Sequence, residues 1–190
     1  MYLFFDTETT GLPANYNAPV SNSTNWPRMV QIAWQVYDLE GNFIEAQDHI
    51  IKPEGYKIPA DMIKIHGIST ERAMAEGKDL TEILLLFNER LQKANFLVAH
   101  NISFDEKIVG AEFYRKSIEN RLNKINKLCT MKSSVNYCRL PGKSGNYKWP
   151  RLSELHQVLF GKGFEEAHNA AADINATVKC FWKLKEVGVF

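Results

Sequence analysis

Residues 2–13 read Tyr-Leu-Phe-Phe-Asp-Thr-Glu-Thr-Thr-Gly-Leu-Pro, an apolar run that passes straight into two acids. A short apolar run of this kind predicts a buried strand. Asp6 and Glu8 are two residues apart, so on a strand both carboxylates leave the same face. Like charges held that close repel unless a cation or a proton lies between them. The plain alternative is a strand running out into a solvated, acidic turn, and Asp-x-Glu alone is too short to exclude it.

Working outward, Met29–Tyr37 and Phe43–Ile51 have strand composition and flank Asp38–Asn42, a hairpin turn. Asn15–Pro27 is rich in Asn, Ser and Pro and reads as a loop; loops of that length in a small domain are usually functional or mobile. Leu80–Leu91 carries helical apolar spacing at Ile83, Leu84, Phe87 and Leu91. Phe96–Ala99 is a second short apolar strand, and Phe104–Tyr114 a helix for which Ser103 is the expected N-cap. Leu152–Phe160 predicts a short helix and Ala170–Glu186 a long one. Strands come first and then alternate with helices, the pattern of an α/β layered domain with a mixed sheet covered by helices. No linker or repeat divides the chain, so residues 1–190 are expected to form one domain.

Composition narrows the class. Of 190 residues, 45% are hydrophobic and 24% charged, which fits a globular core and not a disordered chain. Lys plus Arg (23) nearly cancels Asp plus Glu (22), so no global basic field would hold nucleic acid. The charge is unevenly placed, however. Residues 1–50 hold Asp6, Glu8, Asp38, Glu40, Glu45 and Asp48 against the base Arg28, whereas in residues 115–162 only Glu119 and Glu154 oppose a run of Lys and Arg. Tyr137, Tyr147 and Trp149 are interleaved in that basic stretch, which could track a phosphate backbone and stack bases, or be a solvated face. Cys129, Cys138 and Cys180 form no Cys-x-x-Cys pair, which points to a reducing compartment and no cysteine-built zinc site. No run reaches the ~20 apolar residues of a membrane span. The N-terminus lacks a basic segment before its apolar run, so the expectation is a soluble, cytoplasmic protein with no membrane partner.

Two further stations carry polar residues. Leu97–Ala99 leads into His100-Asn101-Ile102-Ser103-Phe104-Asp105, where a strand gives way to a helix with Asp105 in its first turn. The helix dipole alone would favour an acid there, but the C-terminal end of a strand in an open α/β sheet is also where ligands bind. His168-Asn169-Ala170-Ala171-Ala172-Asp173 is the other. Asn169 is a good N-cap, which places His168 in the preceding loop and Asp173 in the second turn, beside small apolar neighbours that suit an unpaired charge poorly. Four carboxylates and a histidine make one chemical hypothesis. Carboxylates suit Mg²⁺ or Mn²⁺, and two such ions ~3.5–4 Å apart can activate a water and stabilise a leaving phosphodiester oxygen. A neighbouring histidine can take the water's proton. The strand-end Asp6-x-Glu8-x-Thr10 also resembles the haloacid-dehalogenase phosphatases, whose second acid is normally Asp and which would leave Asp105, His168 and Asp173 without a role.

Together, FFDTETTGLP (4–13), HNISFD (100–105) and HNAAADINAT (168–177) resemble, in order, the three motifs of the DEDD 3′→5′ exonucleases in their histidine-bearing branch, which includes epsilon-type proofreading exonucleases of bacterial DNA polymerase III. Ile65-His66-Gly67-Ile68-Ser69 and Leu128-Cys129-Thr130-Met131 are supporting matches. The resemblance implies an RNase H-like fold, a five-stranded mixed sheet flanked by helices. It implies two divalent cations, Mg²⁺ or Mn²⁺: Asp6 bridging both, Glu8 and Asp173 on the ion that activates water, Asp105 supporting the other, and His168 as general base. It also implies that Thr9, Thr10 and Leu12 cradle the terminal nucleotide, with His66, Asn101 and Phe104 as further pocket residues. The implied substrate is a single-stranded DNA or RNA 3′ end, with a polymerase or repair partner. An RNase T-like or oligoribonuclease-like exoribonuclease and a non-catalytic nucleic-acid-binding module are the alternatives. Asn15–Pro27 and the Lys-rich Arg139–Arg151 segment depart from the shortest family members; the first is expected to shape the pocket or touch a partner, the second to guide substrate through Lys143 and Lys148.

Overall fold

The apolar start of the chain becomes the central strand of a five-stranded sheet. In the computed structural model, which describes residues 1–164 and 170–190, strand β1 is Tyr2–Thr9. It pairs antiparallel with β2 (Met29–Tyr37), and β2 with β3 (Phe43–Ile50). On its other side β1 runs parallel to β4 (Phe96–Ala99), which is parallel to β5 (Asn126–Cys129). The order β3-β2-β1-β4-β5 is the mixed sheet expected from the sequence.

Helices cover both faces: α1 (Ala60–His66), α2 (Thr70–Glu76), α3 (Leu80–Lys93), α4 (Ile102–Arg115), α5 (Thr130–Ser133), α6 (Val135–Cys138), α7 (Leu152–Phe160) and α8 (Ala170–Glu186). The period-two alternation of β1 sorts its side chains between them. Phe4 meets Phe181 of α8 with ring centroids 5.1 Å apart, whereas Phe5 meets Phe87 of α3 at 5.5 Å. Even-numbered residues of β1 therefore face α8 and odd-numbered ones face α3 and α4. Each fully buried ring contributes about 1.5–3 kcal/mol, which fixes the register of β1: a one-residue slip would exchange its faces.

Two sequence expectations are corrected here. Helix α4 starts at Ile102 with Asn101 as N-cap, not Ser103, because Asn101 adopts the left-handed conformation (φ 67°) that turns the chain from β4 into the helix. Asp173 lies in the first turn of α8, not the second; Asn169, the expected cap, falls outside the described residues. The 15–27 segment has no helix or strand but is packed into the core: Trp26 is buried, and its Nε1 donates to the Pro19 carbonyl at 3.2 Å. The Arg115 guanidinium donates to the carbonyls of Ser23 and Trp26 and pairs with Glu112 at 3.0 Å. Glu112, fully buried, also accepts from Arg28 Nε and from the Met29 N–H, both at 2.9 Å. Glu112 thus ties the loop, β2 and α4 together.

Candidate active site

The site forms where two parallel strands differ in length. β4 stays in register with β1 only as far as Phe4–Val98, so the rest of β1 projects past its parallel neighbour while β2 follows it to Thr9. Asp6 and Glu8 lie on this projecting part and, being even-numbered, face α8. The first turn of α8 brings Asp173 to them. Carboxylate oxygens of Asp6, Glu8 and Asp173 all lie within 4.8 Å of one another. Opposite Asp6 on β2 stands Ala33, and opposite Glu8 stands Gln31.

Asp105 reaches the same place from α4 and the other side of the sheet. One of its carboxylate oxygens accepts from the Thr7 N–H at 3.2 Å and from the Thr7 hydroxyl at 2.7 Å. Thr7 is odd-numbered and faces α4, and its N–H lies beyond the last β4 pairing, so the acid substitutes for a missing strand. Asp105 is buried and is not among the three acids that meet within 4.8 Å, although it acts electrostatically on both Asp6 and Glu8.

The acids hold their protons tightly. Burial, then the charges of Asp105, Asp173 and Glu8, raise Asp6 well above the usual carboxylate range. Burial, then the charges of Asp173 and Asp105, push Glu8 up to about 8. Asp105 is pushed up to about 7 by burial, against the Thr7 hydrogen bonds that favour its ionised form. Hard oxygen donors crowded together suit a divalent cation whose charge replaces those protons.

The expected pocket residues divide. Thr9 is buried and donates through Oγ1 to the Gly11 carbonyl at 2.7 Å, while Thr10 is bonded to Arg28 through its N–H and its Oγ1, each at 2.9 Å. These bonds hold the Thr9–Gly11 turn, where Gly11 has φ 149°, and leave Leu12 72% exposed beyond it. His66 is buried beside Thr9, with Nδ1 accepting from the Ile68 N–H at 3.1 Å; burial lowers its pKa more than the Thr9 backbone raises it. Phe104 packs against the core, and Asn101 accepts from Ser103 at 3.3 Å and lines a cleft that also takes in Asp173. His168 lies outside the described residues.

Thr7, Ala33 and Gln31 were not singled out by sequence reasoning. Thr7 had a signal, its position between two acids; the β2 pair depends on a register that is invisible before the sheet is built.

This is the arrangement of a nuclease built on an RNase H-like sheet. The exonuclease (RNase T) family model matches residues 3–181, and the chain belongs to that family. Among curated proteins it is similar to DNA polymerase III PolC-type of Listeria monocytogenes, 27% identical over 184 residues, 96% of this chain and 11% of that protein. The corresponding protein of Streptococcus pyogenes is 33% identical over 117 residues, 62% of this chain and 7% of that one. The chain thus spans only a small part of those relatives. Among solved structures it resembles E. coli exonuclease I in complex with a dT13 oligonucleotide, with TM-score 0.76 and 22% identity over 97% of this chain and 40% of that one. The zinc-bound exonuclease I complex with single-stranded DNA gives TM-score 0.78 and 22% identity, covering 98% and 41%. The fold is accordingly RNase H-like. Membership in the exonuclease family displaces the phosphatase reading of Asp-x-Glu-x-Thr.

Proposed function

We propose that this chain is a 3′→5′ exonuclease that removes nucleoside 5′-monophosphates from single-stranded DNA ends, with Asp6, Glu8, Asp105 and Asp173 holding two Mg²⁺ or Mn²⁺ ions. The observation that carries the reading is the convergence of Asp6, Glu8 and Asp173 within 4.8 Å from opposite ends of the chain. The ions, when bound, supply an activated water and charge compensation for the leaving 3′-oxygen. The residues do the rest. The Thr9–Gly11 turn and the exposed Leu12 hold the terminal nucleotide against the acids, and the two Thr7 hydrogen bonds favour the ionised form of Asp105 and hold its carboxylate in place. His168 takes the proton of the attacking water as the new P–O bond forms and the bond to the 3′-oxygen breaks.

The PolC-type relatives support a place beside a DNA polymerase, with the polymerase as partner. Among the described residues no helix is long and apolar enough to cross a membrane. The test is a 5′-labelled single-stranded DNA with Mg²⁺ or Mn²⁺, with EDTA and Asp173→Ala as controls. A ladder shortening one nucleotide at a time from the 3′ end, absent from both controls, is expected; cleavage that survives either control overturns the two-ion site. The same ladder made only from RNA would move the substrate to RNA and leave the chemistry standing.

A further inference from the structure

The Arg139–Arg151 segment is folded, and the way it is held sets one side chain apart. Gly142 N–H donates to the Asn146 carbonyl at 2.8 Å and Lys148 N–H to the Leu140 carbonyl at 3.0 Å, closing a small hairpin-like turn. Next come two anchors on either side of Trp149. Before it, the Lys148 ammonium pairs with Glu154 in the first turn of α7. After it, the Pro150 carbonyl accepts from His100 Nε2 at 3.1 Å, while His100 Nδ1 meets the Thr130 hydroxyl at 2.9 Å. A carbonyl can only accept, so Nε2 carries the proton and Nδ1 accepts from Thr130. His100 is thereby a strut from the end of β4 to the base of this segment.

Trp149 lies between the anchors and is nonetheless 62% exposed. It is not a core residue. Its ring flanks a cleft of about 540 Å³ that also takes in Arg151, Met131 and Phe164, and whose inner wall includes Asn101 and Asp173. Lys132 Nζ stands 6.0 Å from the Trp149 ring centroid. The cleft therefore joins one of the clustered acids to the exposed Trp149, with Arg151 in its lining and Lys132 over the indole.

We propose that this cleft is a subsite for the single strand on the 5′ side of the bond being cut, with one base stacked on Trp149 and its phosphates held by Arg151 and Lys132. An aromatic platform beside basic side chains takes any base by its π-face, without reading sequence. The two anchors make the platform pre-organised, so little ordering cost remains to be met on binding. Lys148 is not one of the phosphate contacts, because Glu154 already holds it. The consequence is a length requirement: ends long enough to reach Trp149 are held better than shorter ones, whatever their sequence. This rests on the exonuclease reading above for the direction of the strand.

The experiment compares wild type, Trp149→Ala and Trp149→Phe on oligo(dT) of two to eight nucleotides and on the p-nitrophenyl ester of thymidine 5′-monophosphate, which has nothing to place on Trp149. Equilibrium binding of an eight-mer in EDTA is measured alongside. Trp149→Ala is expected to raise KM and weaken binding about tenfold for the longer oligonucleotides, leave the ester unchanged, and be largely rescued by Trp149→Phe. Loss of the same size on every substrate, or no change on the eight-mer, overturns the subsite while wild-type cleavage leaves the exonuclease reading intact. If wild type cleaves no oligo(dT) the single-stranded DNA reading falls, and the EDTA binding arm then decides the subsite alone: weakened Trp149→Ala binding upholds it, and unchanged binding overturns it.

Discussion

Asp105 is bound by Thr7 through both its backbone N–H and its hydroxyl, at 3.2 and 2.7 Å, on the same oxygen. A residue between two clustered acids thus fixes a third acid from another element. Thr7→Val keeps the shape and the buried contact but removes the hydroxyl donor. A hydrogen bond to an ionised group is worth about 1.5–3 kcal/mol, so the Mn²⁺ concentration for half-maximal activity should rise roughly tenfold or more. Thr7→Ser should recover most of it. Unchanged metal dependence in Thr7→Val would show that Asp105 does not need this bond to serve the site.

The protonated acids give the metal-free protein a particular pH response. Glu8 holds its proton up to about pH 8 and Asp105 up to about 7, whereas in the unfolded chain such groups ionise near ~4. Across that window the native state binds more protons than the unfolded one, so stability falls as pH rises. The Tm of EDTA-treated protein should therefore drop from about pH 5 to about pH 8, and saturating Mg²⁺ or Mn²⁺ should remove the drop. A Tm equally flat with and without metal contradicts the crowding of these carboxylates.

Glu112 is the buried hub between Arg28 and Arg115, at 2.9 and 3.0 Å. Removing one partner of a buried ion pair leaves the other uncompensated and costs about 3–5 kcal/mol. Glu112→Ala should destabilise the fold by that order in urea unfolding and loosen the 15–27 loop, seen as faster amide exchange there. A loss below ~1 kcal/mol would mean the two arginines find other acceptors.

Lys143 and Lys148 should differ in their effect on substrate binding. Lys148 is engaged by Glu154, whereas Lys143 sits in the short 3₁₀ turn with no ion pair among the described residues. If Lys143 meets a phosphate, Lys143→Ala lowers the salt slope of single-strand binding by about 0.7, and Lys148→Ala lowers it by less. Equal slopes for both variants and wild type take the turn out of substrate binding.

Much of this was legible because it depends on period and order. The apolar run into Asp6 and Glu8 set β1, and the strands and helices around it follow from patterning, with β4, α7 and α8 at the expected bounds. What escaped depends on chain segments meeting. Strand β5 is a short segment, Asn-Lys-Leu-Cys, without an apolar run, so only its pairing with β4 makes it a strand. Trp26 is an aromatic in a polar loop, and nothing local says that it fills the core. Helices α1 and α2 are seven residues each, too short for a periodic signal. The partition of the acids between two sides of the sheet likewise appears only once β4 stops short of β1.

Asp173 follows Asp6 by 167 residues, on a helix that must dock across β1 and β2 to reach it. Contacts of such sequence separation form slowly, because the intervening chain has to be closed first. A chain that stops short of α8 carries two acids on a strand and no third to meet them, and so lacks the cluster of Asp6, Glu8 and Asp173. The distance along the chain makes the cluster a late product of folding: the three acids meet only once α8 has docked on the sheet.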